Sequence, residues 1–168
     1  MRRVLLTGMS GTGKSTVIDE LVARGFLAID ADEGWSESGP EGDWVWIEDR
    51  IQRLLSDKPS DDLFLSGCAS NQGKFYPQFS HIILLSAPVD LIMQRLADRR
   101  NNTFGKLPEE RMRVLSDISA VEPLLRKTSG CEIDTSVPVH EVVEKLLQFA
   151  GLASPSTASA PCTAAVCA

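Results

Sequence analysis

An α/β fold, with a parallel sheet covered by helices on both faces, is predicted by three observations. Short apolar runs alternate with amphipathic helical segments along the chain. The first apolar run feeds a glycine-rich loop that opens directly into a helical segment. A later run, Ile82 to Leu85, carries no polar interruption, as expected of a strand buried on both faces.

The elements follow in order. Val4-Leu5-Leu6-Thr7 suits a first buried strand. Gly8-Met9-Ser10-Gly11-Thr12-Gly13-Lys14-Ser15 reads G-x-x-x-x-G-K-S, the pattern of a phosphate-binding loop. From Ser15 to Ala23, Val17, Ile18, Leu21 and Val22 fall at helical spacing. Gly25 ends that helix, and Phe26 to Ile29 forms a second strand with Asp30-Ala31-Asp32 at its C-terminal end. Residues 33–42 hold three glycines and a proline and are expected to form a loop. Asp43 is expected to cap a helix from Trp44 to Leu55. Leu63-Phe64-Leu65 is the third strand and Ile82 to Leu85 the fourth. Pro88 starts a helix to about Arg100, and Pro108 starts another to about Lys127, bent near Pro123. Glu132-Ile133-Asp134 is a fifth strand, and Pro138 to Phe149 the last helix. Residues 1–151 thus make one domain. Residues 152–168, rich in Ala, Ser, Thr, Pro and Cys, read as a low-complexity tail expected to be disordered.

Composition narrows the function. The chain has 168 residues and a net charge of −6, so it lacks the broad basic footprint of a nucleic-acid binder. No apolar run approaches a membrane span. The Met1-Arg2-Arg3 start runs straight into a strand, which predicts a cytoplasmic protein. Four cysteines without a C-x-x-C pair, beside two histidines, give no support to a zinc site and read as reduced thiols.

The loop residues carry a definite chemistry. Gly8, Gly11 and Gly13 let backbone amides turn inward as an anion nest, backed by the positive end of the following helix. Ser10, Thr12 and Thr16 complete the loop and the start of that helix. Lys14 is placed to reach the β- and γ-phosphates of a nucleotide, and Ser15 to hold Mg²⁺.

These ordered motifs, with two further segments, resemble the P-loop small-molecule kinases of the nucleoside-monophosphate kinase and shikimate kinase type. The resemblance spans about residues 3–149. It implies a three-layer P-loop NTPase fold, sheet order 2-3-1-4-5, a short lid at about residues 100–108, and ATP with Mg²⁺ as cofactors. Asp30-Ala31-Asp32 is similar to the D-x-D segment of shikimate kinases. That implies Asp30 at the metal, with Asp32 on the acceptor hydroxyl as proton acceptor. Leu91 to Arg100 resembles the R-x-x-x-R helix before an adenylate-kinase lid. It implies Arg95 on the adenine and Arg99 on the transferring phosphoryl group. Ser136-Val137-Pro138 would run along the adenine edge, with Val137 and Pro138 contributing.

Departures from the family pattern bear on the acceptor. The third strand ends in Ser66 where Walker B strands usually carry Asp, so metal binding falls to Ser15 and the Asp30-Ala31-Asp32 pair. The segment matching the shikimate kinase R-x-P-L-Y is Val121-Glu122-Pro123-Leu124-Leu125. It places Val121 where an arginine would bind a carboxylate, and Glu122 beside it would repel one, which argues against shikimate. The expected acceptor wall comprises Trp35, Arg50, Gly67, Asn71 and Gln72. Trp44 and Trp46 either join that wall or pack the helix on the sheet. The leading expectation is an ATP-dependent kinase acting on the hydroxyl of a nucleoside, sugar or cyclitol. A nucleoside-monophosphate kinase and a non-catalytic ATP switch remain alternatives. A small molecule is the expected partner, with no nucleic acid and no membrane, for a monomer or homodimer.

Overall fold

A computed structural model describes residues 2–40, 42–57, 61–100 and 104–152. The chain runs β1 (Arg3–Thr7), α1 (Lys14–Ala23), β2 (Leu27–Asp30), β3 (Ser36–Ser38), β4 (Trp44–Trp46), α2 (Glu48–Ser56) and β5 (Leu63–Ser66). A 3-10 helix (Gln72–Gln78) follows, then β6 (His81–Ser86), α3 (Val89–Asp98), α4 (Pro108–Ala120), α5 (Glu122–Thr128), β7 (Cys131–Asp134) and α6 (Val139–Phe149).

Five strands make one sheet in the order β2-β5-β1-β6-β7, every pair parallel. Counted among themselves these strands run 2-3-1-4-5, the expected order. Alternation along β1 sends Val4 and Leu6 to one face and Leu5 to the other, and both faces are covered. Val4, Leu6, Phe64 and Ile83 pack with Val17 and Leu21 of α1 and Val143 and Leu146 of α6. Leu5, Leu63 and Leu65 pack with Ile51 and Leu55 of α2, Trp46 and Phe75. The strands' C-terminal ends share one edge. Sheet order reverses about central β1, so its following loop lies at the switch point where open α/β sheets bind ligands.

Three expectations change. Trp44–Trp46 is a strand rather than the first turn of a helix, and pairs antiparallel with Ser36–Ser38 inside the expected loop. Asp43 caps nothing; the Ser70 hydroxyl donates to it. Tertiary hydrogen bonds decide the conformation: Ile47 N–H donates to Trp35 O at 2.8 Å and Ser70 N–H to Trp44 O at 2.9 Å. Helix α3 ends at Asp98, so Arg99 is extended (φ −60, ψ 130) and not on a shared helical face with Arg95. The helix expected from Pro108 to Lys127 divides at Val121, with Pro123 in the first turn of α5, where its missing N–H costs nothing.

Residues 101–103 of the expected lid and the tail from 153 onward lie outside the described residues. Leu152 packs against the α1/α6 core. After residue 103 the Glu110 carboxylate accepts N–H groups of Gly105, Lys106 and Leu107, fixing the entry to α4. No helix of the described residues is long and apolar enough to cross a membrane.

Candidate active site

The phosphate loop links β1 to α1 and forms the floor of a cleft of about 670 Å³. Two glycines are required by its path. A Cβ on Gly8 would stand 2.3 Å from Leu85 O, so the loop presses directly against β6. Gly13 has φ +89 as N-cap of α1, a conformation L side chains resist. The Thr12 hydroxyl donates to Met9 O at 2.8 Å and stiffens the loop. Lys14 is buried, its ammonium donating to Gly8 O at 2.8 Å and Met9 O at 3.2 Å. Ser10, Gly11, Gly13, Lys14, Ser15 and Thr16 all line the cleft; Gly8 and Thr12 support it from beneath.

The acidic segment ends β2 beside that loop. The Ser15 hydroxyl donates to Asp30 Oδ2 at 2.6 Å, and Asp30 Oδ1 accepts the Asp32 N–H at 3.1 Å. Between them Ala31 is fully buried, which leaves both carboxylates on the cleft side. Asp32 Oδ1 accepts the Trp44 indole N–H at 3.2 Å, and its other oxygen has no hydrogen bond among the described residues. Asp32 touches water at the cleft, yet protein packs closely around its carboxyl. That desolvation pushes its pKa above the usual aspartate value, and nearby Asp30 adds to the rise. Lys14, the Trp44 N–H and Arg99 act in the opposite direction.

No group of three His, Cys, Asp or Glu converges among the described residues. A metal here would take the Ser15 hydroxyl and the Asp30 carboxylate and draw its other ligands from phosphate and water. That oxygen set suits Mg²⁺, which keeps several waters and few protein ligands. Cys68 packs among Met9, Leu84 and Leu125, and burial pushes its thiol pKa up, so it stays protonated.

Arg95, Arg99 and Val137 line the opposite wall, with Pro138 beside them as N-cap of α6. Glu33, Asp98, Thr135, Val139 and Val142 also line the cleft and were not among the expected site residues. Thr135 could have been found from its place: it directly follows a strand at the ligand-binding edge.

The remaining expected acceptor residues are bound to protein. Arg50 donates to Gly34 O. Trp35 packs partly buried against the α2 side of the core. Gly67 lies under Trp46, whose Nε1 would be 2.9 Å from an added Cβ. Gln72 is buried and donates to Thr7 Oγ1 and the Tyr76 hydroxyl. Asn71 grips the Trp46 backbone, accepting its N–H at 2.8 Å and donating to its carbonyl at 3.0 Å. Asn71→Ala is therefore expected to loosen the β3–β4 hairpin and cost about 2 kcal/mol, read as a lowered urea midpoint.

A family model described as an AAA domain matches residues 4–115. The chain belongs to that family. This AAA-domain chain is 29% identical over 177 residues to the shikimate kinase of Psychrobacter arcticus, covering 94% of this chain and 95% of that one. The fold is also that of a shikimate kinase from Acinetobacter baumannii in complex with shikimate (TM-score 0.69, 20% identity, 89% and 93% of the two chains). A gluconokinase from Sinorhizobium meliloti shares it (TM-score 0.61, 19% identity, 90% and 93%). The relatives of this AAA-domain chain thus include small-molecule kinases, and it shares their fold.

Proposed function

We propose that the protein transfers the γ-phosphoryl group of Mg-ATP to a hydroxyl of an uncharged small molecule: a nucleoside, sugar or cyclitol. The supporting observation is the 2.6 Å contact of Ser15 Oγ with Asp30 Oδ2, with Asp32 two residues further on beside the same loop. Metal donors and proton acceptor then stand side by side. Mg²⁺ held by Ser15 and Asp30 would neutralise part of the phosphate charge.

The protein's own residues do the rest. The loop amides and Lys14 hold the β- and γ-phosphates, and Arg95 receives the adenine with Val137 and Pro138 at its edge. The acceptor oxygen lies at the unoccupied side of the Asp32 carboxylate, while the Trp44 N–H fixes the other oxygen. As the new O–P bond forms and the bond to the β-phosphate oxygen breaks, the hydroxyl proton passes to Asp32. Its raised pKa makes Asp32 a better acceptor than an ordinary aspartate. Arg99, on the same wall, neutralises charge on the moving group.

Charged acceptors fit less well. Val121 packs among Cys68 and Met9, and Glu122 is held by Arg126 at 2.7 Å, so neither offers a cation to a carboxylate. Arg50 is engaged with a backbone carbonyl and Lys74 with Glu48, which removes two cations that an acceptor phosphate would need.

The test is ADP release with Mg-ATP against a panel of nucleosides, nucleoside monophosphates, sugars, cyclitols and shikimate. One uncharged hydroxyl compound is expected to accelerate release. Acceleration by monophosphates or shikimate alone would reject the acceptor class. With the best acceptor, kcat/KM is expected to fall at low pH as Asp32 takes up its proton. Because that pKa is raised, the fall should begin at higher pH than for an aspartate at 3.8.

A further inference from the structure

We propose that Thr135 is a positioning residue: it fixes the guanidinium plane of Arg95 against the phosphate loop and thereby sets the affinity for the nucleotide base. The proposal rests on the ATP-binding reading above. Thr135 follows β7 directly and is 4% exposed. Its N–H donates to Ser86 O at 2.8 Å, at the end of neighbouring β6. Its hydroxyl donates to Thr12 O at 2.8 Å, with Ser86 O at 3.2 Å as the longer alternative. The same Oγ1 accepts Arg95 Nη1 at 2.9 Å, and the Thr135 carbonyl accepts Arg95 Nη2 at 2.6 Å. Arg95 Nη1 also lies 3.4 Å from Gly11 O.

One hydroxyl therefore joins the phosphate loop, the strand end and α3. A hydroxyl has one proton and two lone pairs. The proton serves the loop carbonyl of Thr12 and a lone pair serves Arg95. The guanidinium is planar, and both terminal nitrogens are used edge-on by Thr135. Its flat face is then what Arg95 offers to the cleft, the geometry that stacks on a planar base. An arginine free to rotate would have to be ordered by the nucleotide on binding; one already gripped does not. The Thr12 carbonyl that anchors this grip is turned to Thr135 and takes no part in the phosphate nest, which is built from N–H groups.

Thr135→Val keeps the side-chain shape and the backbone carbonyl and removes only the hydroxyl. The experiment is calorimetric titration of the full chain with ATP and, separately, with inorganic tripolyphosphate, which has no base. ATP affinity is expected to fall about tenfold, tripolyphosphate affinity to stay within about twofold, and Thr135→Ser to restore ATP binding. Arg95→Lys keeps the charge but cannot make the two-pronged contact, so it should show the same selective loss; it carries the test if Thr135→Val does not fold. Equal losses for both ligands, or unchanged ATP affinity, would overturn the proposal. Wild-type protein that binds tripolyphosphate but not ATP would overturn the ATP reading, and this proposal with it. The wild-type titration alone reveals that case.

Discussion

Asp32→Asn protein is expected to bind Mg-ATP as the wild type does and to transfer phosphoryl groups at least about 10²-fold more slowly. The substitution preserves size, and an amide oxygen can still accept the Trp44 indole N–H that fixes the side chain. What disappears is the capacity to take up the hydroxyl proton. On the proposed reading nucleotide affinity depends on the loop, Lys14 and Arg95, none of which hydrogen-bonds Asp32 among the described residues. Stability moves the other way. Burial raises the Asp32 pKa, so the folded state disfavours its charge relative to the unfolded chain. Above the folded pKa the ionised carboxylate costs stability; below the unfolded value both states are protonated and the cost vanishes. Asp32→Asn should therefore melt slightly higher than the wild type near neutral pH, with the gap closing as pH falls below 3.8. The effect is small because the group also touches water. Melting curves across pH, read beside single-turnover transfer, test both halves. Retained transfer in this variant would reject the proton-acceptor role.

Lys14→Ala is expected to lower kcat/KM for ATP by about 10²–10³-fold and to weaken ATP binding measured by calorimetry. Lys14 is already in the loop, its ammonium held by Gly8 O and Met9 O. Reaching a bound phosphate takes a shift within the nest, not a journey from solvent. Alanine leaves those carbonyls unmet and the nest without its only buried cation among the described residues. Lys14→Arg should not rescue, since a planar fork cannot occupy a pocket shaped around a compact ammonium. Turnover in Lys14→Ala within about threefold of wild type would place phosphate binding elsewhere.

The contrast between these sites and the hairpin shows what the sequence could convey. The phosphate loop was legible because its constraints are local: Gly8 and Gly13 are needed by backbone path, and strand and helix flank them. The sheet was legible because uninterrupted apolar runs such as Ile82 to Leu85 have few other uses. Residues 44–47 misled because Val45 and Ile47 run on into the apolar positions Ile51, Leu54 and Leu55 of the helix that does form. The strand is imposed from 25 residues away, by Asn71 on the Trp46 backbone. A local signal did exist: Gly39-Pro40 and Gly42 form turn chemistry between Ser36–Ser38 and the alternating Trp44-Val45-Trp46. Arg99 was placed at the cleft by resemblance but on the wrong backbone. Thr135 had no motif to announce it, because its role comes from partners 40 and 123 residues away in the chain.

The position of the tryptophans has an optical consequence. Trp46 is 1% exposed and packs on Phe75, a dry setting that gives blue-shifted emission and shields it from quenchers. Trp44 is 42% exposed and shares its indole proton with Asp32. A molecule that arrives at that carboxylate changes the surroundings of Trp44 and leaves buried Trp46 as an internal standard, with partly buried Trp35 as the third emitter. Occupancy of the proposed acceptor side is thus expected to be readable by native fluorescence, with no label attached and before any phosphoryl group has moved.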